Sequence, residues 1–191
     1  MSGLRERKKA QTRALIQHNA LRLFREQGYE TTTVTQIVTA SGISESTFFR
    51  YFPTKEDVVL WDRFDPMIYE ALQAQPRQTR IIPALRAAIR ASLDRISDAE
   101  RTEMAERIEL IVSTPALRAL LLDRLGEPMR ALMRIVAGRT GRAATDPEVC
   151  AVVGAIIGVG LTLLLTAQEV DRDLGALLDE GLAALETGLH L

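Results

Sequence analysis

Apolar positions recur at helical spacing along most of the chain, and the strict alternation of a half-buried strand is scarce. From Lys8 to Gln27 the residues Ile16, Ala20, Leu23 and Phe24 fall at i, i+4, i+7 and i+8, and Gly28 marks the end of that helix. Val34, Ile37 and Val38 then give a short helix one apolar face, with Thr33 as its N-cap. Ser41-Gly42-Ile43 reads as a corner, because Gly42 can take a positive φ and Ile43 can plug the gap between helices. Ser44 caps a second short helix over residues 45–51, which Pro53 stops. Two short helices joined by a Gly-containing turn form the helix-turn-helix pattern.

The second of these helices turns Phe48 inward, with Phe52 one turn on. Glu45, Ser46, Thr47, Arg50 and Tyr51 remain on the other side. Short hydroxyls permit close approach to a groove, Arg binds guanine or phosphate, and Tyr donates to a phosphate oxygen. Lys55 follows Thr54 at the start of the next helix, where the helix N-terminus also attracts anions. These residues point to duplex DNA; the plain alternative is a surface hairpin with an ordinary polar face.

Beyond this head the pattern stays helical. Thr54 caps a long helix with Val58, Trp61 and Phe64 behind it, interrupted at Asp65-Pro66 by a kink or by a fresh start with Pro66 at its first position. A polar link over residues 75–80 precedes a helix bearing Leu85, Ala88, Ile89, Ser92, Leu93 and Ile96 on one face. Met104, Ile108 and Ile111 mark the next helix, ended at Thr114-Pro115. Leu117, Leu120, Leu121 and Leu125 follow, with a break at Gly126-Glu127-Pro128. Met129, Leu132, Met133 and Val136 resume the pattern, and residues 138–147 read as a loop.

Residues 149–167 then hold 19 positions without a charge, and the tail shows a leucine stripe through Leu174, Leu177, Leu178, Leu182 and Leu185. Length alone would allow a membrane span. The flanks, however, are Asp146, Glu148, Glu169 and Asp171 rather than Lys, Arg or Trp anchors. A helix apolar on all sides must be buried on all sides, and in a body this small a second copy supplies the cover. The expected interface comprises Val153, Gly154, Ile157, Gly158, Leu161, Leu174, Leu178, Leu182 and Leu185.

Composition sharpens this picture in two places. The net charge of −1 hides an asymmetry: residues 1–55 carry nine Lys or Arg against four Asp or Glu, and the remainder fifteen against twenty-one. A basic head on an acidic body fits one end that binds a polyanion. A single cysteine, Cys150, fits a reducing cytoplasm, and no secretion signal is visible. The two histidines, His18 and His190, lie at opposite ends of the chain, and no Cys/His cluster or phosphate loop exists, so no catalytic site, metal or cofactor is expected.

The run Gly-Tyr-Glu-Thr-Thr-Thr-Val, Ile-Val-Thr-Ala-Ser-Gly-Ile-Ser, Thr-Phe-Phe-Arg-Tyr-Phe-Pro-Thr-Lys-Glu-Asp resembles the N-terminal domain of TetR-family transcriptional regulators over about residues 12–58. The resemblance implies phosphate contacts from Thr33, Tyr51 and Lys55, and groove contacts from Thr35, Glu45, Ser46, Thr47 and Arg50. Phe49 stands where that family usually has a Tyr, which leaves an apolar contact, such as one with a thymine methyl. It implies an all-α homodimer with a helix-turn-helix domain at 1–53 and a helical effector-binding and dimerisation domain at 54–191. Its partners would be a palindromic double-stranded operator and a small apolar or amphipathic effector, held by Trp61, Phe64, Met104, Ile108, Ile111, Met129 and Met133. Arg101 and Arg107 could meet an anionic group on that effector. The function so implied is a cytoplasmic repressor released by its ligand; the rival is a dimeric ligand-binding protein whose head no longer reads DNA.

Overall fold

A computed structural model describes residues 2–166 and 173–188, with the side chains of 2–6 and 174 left aside. Among the described residues the chain forms eleven α-helices and no strand. It divides into two compact units, residues 1–63 with 99–111, and residues 64–98 with 112–191.

In the first unit, α1 (Ser2–Gln27) extends further toward the N-terminus than its apolar pattern. It ends where Gly28, at φ 90°, donates its N–H to the Phe24 carbonyl. Ile16, Ala20 and Phe24 are buried together with Ile37, Val38, Phe48, Phe52, Val58 and Val59 from α2 (Val34–Ser41), α3 (Glu45–Tyr51), the residue after it, and α4 (Lys55–Leu60). Helix α4 is shorter than the sequence suggests. The chain leaves the helix at Trp61 (ψ 118°), five residues before Pro66. The buried Gln17 side chain explains the stop: its Nε2 donates to both the Val58 and Trp61 carbonyls at 2.8 Å. Carbonyls that continued helix would occupy are satisfied from α1 instead. The Trp61 ring turns back onto Phe52, 5.9 Å away.

The second unit opens with α5 (Asp65–Ala74), so Pro66 sits in the first turn of a new helix rather than at a kink. Together with α5, the helices α6 (Ile81–Leu93), α9 (Gly126–Thr140), α10 (Pro147–Leu165) and α11 (Leu174–Thr187) share a core of Leu72, Leu85, Leu132, Val136, Val149, Val153, Ile156 and Leu182. Helix α9 continues through Gly138 and stops at Gly141 (φ 72°), so the loop expected from residue 138 begins three residues later. Gly181 lets α11 close on α10, since a Cβ there would lie 2.7 Å from Val159 Cγ1. Helix α7 (Asp98–Ser113) contributes its 99–111 stretch to the first unit, and α8 (Pro115–Arg124) belongs to the second.

Candidate nucleic-acid interface

The turn between α2 and α3 is fixed at both ends by backbone chemistry. Thr33 caps α2 by accepting from the Gln36 N–H, while the Gln36 side chain accepts from the Thr33 N–H at 2.8 Å, a complete capping box. At the far end Gly42 adopts φ 64°, with its N–H on the Thr39 carbonyl and the Ile43 N–H on the Val38 carbonyl, each at 3.2 Å. That is a Schellman closure, and it requires a residue tolerant of left-handed geometry. Ser44 then caps α3 by accepting from the Thr47 N–H at 3.2 Å.

Helix α3 is anchored by Phe48, which is fully buried. Phe49 meets its ring edge-on at 5.3 Å and yet stays 49 % exposed. Glu45, Ser46, Phe49 and Arg50 are exposed, Thr47 and Tyr51 half-buried, and Thr33 and Thr35 exposed on or beside α2. The structure therefore brings the nine expected contact residues onto one unit, but it does not leave them equally free. Thr35 Oγ1 donates to Glu45 Oε1 at 3.0 Å, which orients an acceptor-only carboxylate at the first position of α3. The Arg50 guanidinium lies over the Tyr51 ring at 5.3 Å. Neither Arg50 nor the Tyr51 hydroxyl has a hydrogen-bond or ionic partner among the described residues, so both remain available as donors.

Thr33 and Lys55 are more committed. The Thr33 hydroxyl also lies 3.2 Å from Gln36 Oε1. Lys55 Nζ donates to the Tyr29 and Thr32 carbonyls at 2.8 and 3.2 Å and sits 4.1 Å from the Tyr29 ring centroid. Two of its three N–H donors thus hold the α1–α2 connection against α4. Tyr29 completes that lock by donating its hydroxyl to Glu56 Oε1 at 2.8 Å. Burial raises the Tyr29 phenol well above its ordinary pKa, and the bond to Glu56 raises it further. Burial works against the Glu56 charge, yet its own backbone N–H, Tyr29, Thr54 and the charge of Lys55 together hold the carboxyl below its usual range. Gln17, Tyr29 and Gln36 escaped the sequence reading; of these only Gln36 left a signal, the Thr-x-x-Gln spacing of a capping box.

The remaining expected residues separate by unit. Trp61, Met104, Ile108 and Ile111 belong to the first, and Phe64, Met129 and Met133 to the second. Arg107 is buried, donating to the Val59 carbonyl at 3.2 Å and pairing with Asp62, so it braces the first unit. On α10 and α11, Val153 and Leu182 are fully buried within the chain's own core and have no surface left to offer a second copy. Ile157, Leu178 and Leu185 pack partly against that core, whereas Gly154 and Gly158 are exposed and Leu161 is half-exposed. The Leu174 side chain lies outside the described residues.

Comparison with known proteins places this geometry. Residues 16–60 match the family described as bacterial regulatory proteins, tetR family, and residues 79–190 match the MftR C-terminal domain. The HTH-type transcriptional regulator TcmR of Streptomyces glaucescens is 40 % identical over 147 residues, which cover 73 % of this chain and 65 % of TcmR, just under two thirds of that relative's length. MftR of Mycobacterium tuberculosis is 27 % identical over 159 residues, covering 82 % of this chain and 79 % of MftR. The fold is shared with the fatty acid degradation regulator FadR from Bacillus halodurans, with a TM-score of 0.60, 20 % identity, and 93 % and 96 % of the two chains covered. With both the head and more than half of the chain matched in this way, the protein belongs to the TetR family of bacterial transcriptional regulators.

Proposed function

We propose that this chain is a cytoplasmic repressor that binds a palindromic operator as a homodimer and is released by a small apolar or amphipathic ligand bound in its body. The observation that carries the reading is α3: a buried Phe48 anchors it, two caps and a Schellman turn fix its start, and its outward face presents unpaired Arg50 and Tyr51 donors. Within that face Arg50, Glu45, Ser46, Thr47, Phe49 and Thr35 would address base edges, and Tyr51, Thr33 and the third donor of Lys55 would address phosphates.

The homodimer is supported by α10. This 19-residue helix has a mean hydropathy of 2.3 over its most apolar window, of which 17 % is buried by the chain itself. The cover it needs is supplied by its own copy across a two-fold, with α11 alongside, and that symmetry presents two recognition helices to successive major grooves. Acidic flanks at Asp146 and Glu148 favour this over a membrane.

The test is fluorescence anisotropy on DNA from upstream of the protein's own gene against scrambled DNA across a salt series. Preferential binding that weakens steeply with salt is expected. The double variant R50A/Y51A should lose about 10- to 100-fold in operator affinity, the range of one good base contact. Absence of binding to either DNA at low salt would leave the body's ligand as the protein's purpose and sink the repressor reading.

A further inference from the structure

A groove of about 480 Å³ opens between α5 and α9 in the second unit, and none of the residues expected to hold an effector lines it. Tyr69 and Gln73, one turn apart on α5, form one wall with Arg77 just beyond. Arg134, Ile135 and Arg139 stand on the facing side of α9. The lining holds three arginines and no Asp or Glu, in a body whose overall balance is acidic.

Elsewhere in this unit arginines meet carboxylates. Arg86 pairs with Asp179 and Glu186, Arg90 with Asp179, and Arg142 with Asp146 and Glu148. Arg77 and Arg134 have no such partner among the described residues. Arg139 is held in place by carbonyls: Nη1 donates to Leu72 and Gln75 and Nη2 to Pro76 and Thr79, all between 2.8 and 3.1 Å. Those four bonds satisfy the end of α5 and the following turn with neutral acceptors, so the Arg139 charge is left uncompensated at the groove. Three cations around one concavity focus a positive potential there, and a planar guanidinium pairs best with a carboxylate or phosphate. The volume lies within the range of small-molecule sites, and Tyr69 with Ile135 supplies an apolar surface beside the charges.

We propose that this groove binds a small amphipathic organic anion, its carboxylate or phosphate head on Arg77 and Arg134 beside the fixed charge of Arg139 and its apolar portion against Tyr69 and Ile135. The assignment rests on the ligand-sensing role of the body and gives the effector a charge as well as a place. Titration calorimetry of the full-length protein with decanoate, decyl phosphate, decanol and inorganic phosphate tests it without DNA. Saturable binding of decanoate or decyl phosphate is expected, at least about tenfold tighter than decanol or inorganic phosphate. The same anion should bind at least about tenfold more weakly to R77A/R134A and be restored in R77K/R134K, with unchanged thermal melts. Arg139 is kept in all variants because it holds the α5–α6 connection. Failure of both amphipathic anions to saturate, or equal affinity in R77A/R134A, overturns the assignment. Anions that bind through the arginines without lowering operator affinity in the anisotropy assay would confirm the groove and reject release by this ligand.

Discussion

Helices α3 and α10 make an instructive pair. Helix α3 has seven residues, one of them a fully buried phenylalanine, and most of its remaining surface is polar and accessible. Helix α10 has nineteen residues, buries Val149, Val153 and Ile156, and leaves apolar positions such as Leu165 accessible. Each is held by its own unit along one stripe and leaves the other uncovered. The chemistry of the uncovered stripe sets what it can suit: hydroxyls and a guanidinium suit the hydrated edge of a duplex, whereas Gly, Ala, Ile and Leu suit another apolar surface. A helix's function is thus read from what its own fold declines to bury.

The comparison can be broken most violently at α3's anchor. Phe48→Ala empties a fully buried site and should destabilise the first unit by about 3–5 kcal/mol. Phe49→Ala, at a ring half exposed, should move the melting midpoint little while weakening operator binding. Calorimetric melts paired with anisotropy separate the two, and an equal loss of stability in both variants would mean that α3 is not divided as described.

A smaller but cleaner cut lies on α10. A Cβ at Gly154 meets no other atom within 4 Å, so the isolated chain has room for a larger side chain. Gly154→Arg should therefore spare the fold of each subunit and weaken dimerisation by roughly 100-fold or more, equivalent to about 3 kcal/mol. Sedimentation equilibrium that returns an intact dimer would move the interface off this face.

The smallest effect concerns the tie between α6 and α11. Hydrogen bonds from Arg86 and Arg90 hold the Asp179 carboxyl far below its usual value. A carboxyl lowered on folding adds stability above its unfolded pKa of about 3.9 and loses it as pH falls toward the folded value. Acid unfolding should thus steepen below about pH 4, and D179N should flatten that limb while costing about 1 kcal/mol at neutral pH. An unchanged acid limb in D179N would assign the loss to other carboxylates.

Much of this architecture was legible in the chain. Helix existence followed from apolar spacing, and the turn at Ser41-Gly42-Ile43 followed from its caps, because those signals are local. What escaped depends on residues distant in sequence. Helix α4 stops at Leu60 because Gln17, more than forty positions away, takes up its carbonyls. Val153 and Leu182 looked like interface residues because a leucine stripe does not say which of two partners, the chain or its copy, covers each position. Lys55 read as a phosphate contact, and nothing local in the sequence tells that two of its donors go to the Tyr29 and Thr32 carbonyls. Arg107 likewise read as a cation for an effector's anionic group, yet it is buried on the Val59 carbonyl and Asp62 as a brace.

The stretch 99–111 has a consequence for anyone who would recombine these proteins. The chain passes between the two units three times, and on its return it supplies Glu103 beside His18 and Glu106 to Arg25 within the first unit. The reader head is therefore not a cassette. A chimera spliced at residue 63 would inherit the recognition helix but forfeit a segment of its own support, so exchanging operator specificity among relatives calls for two grafts, the second carrying 99–111.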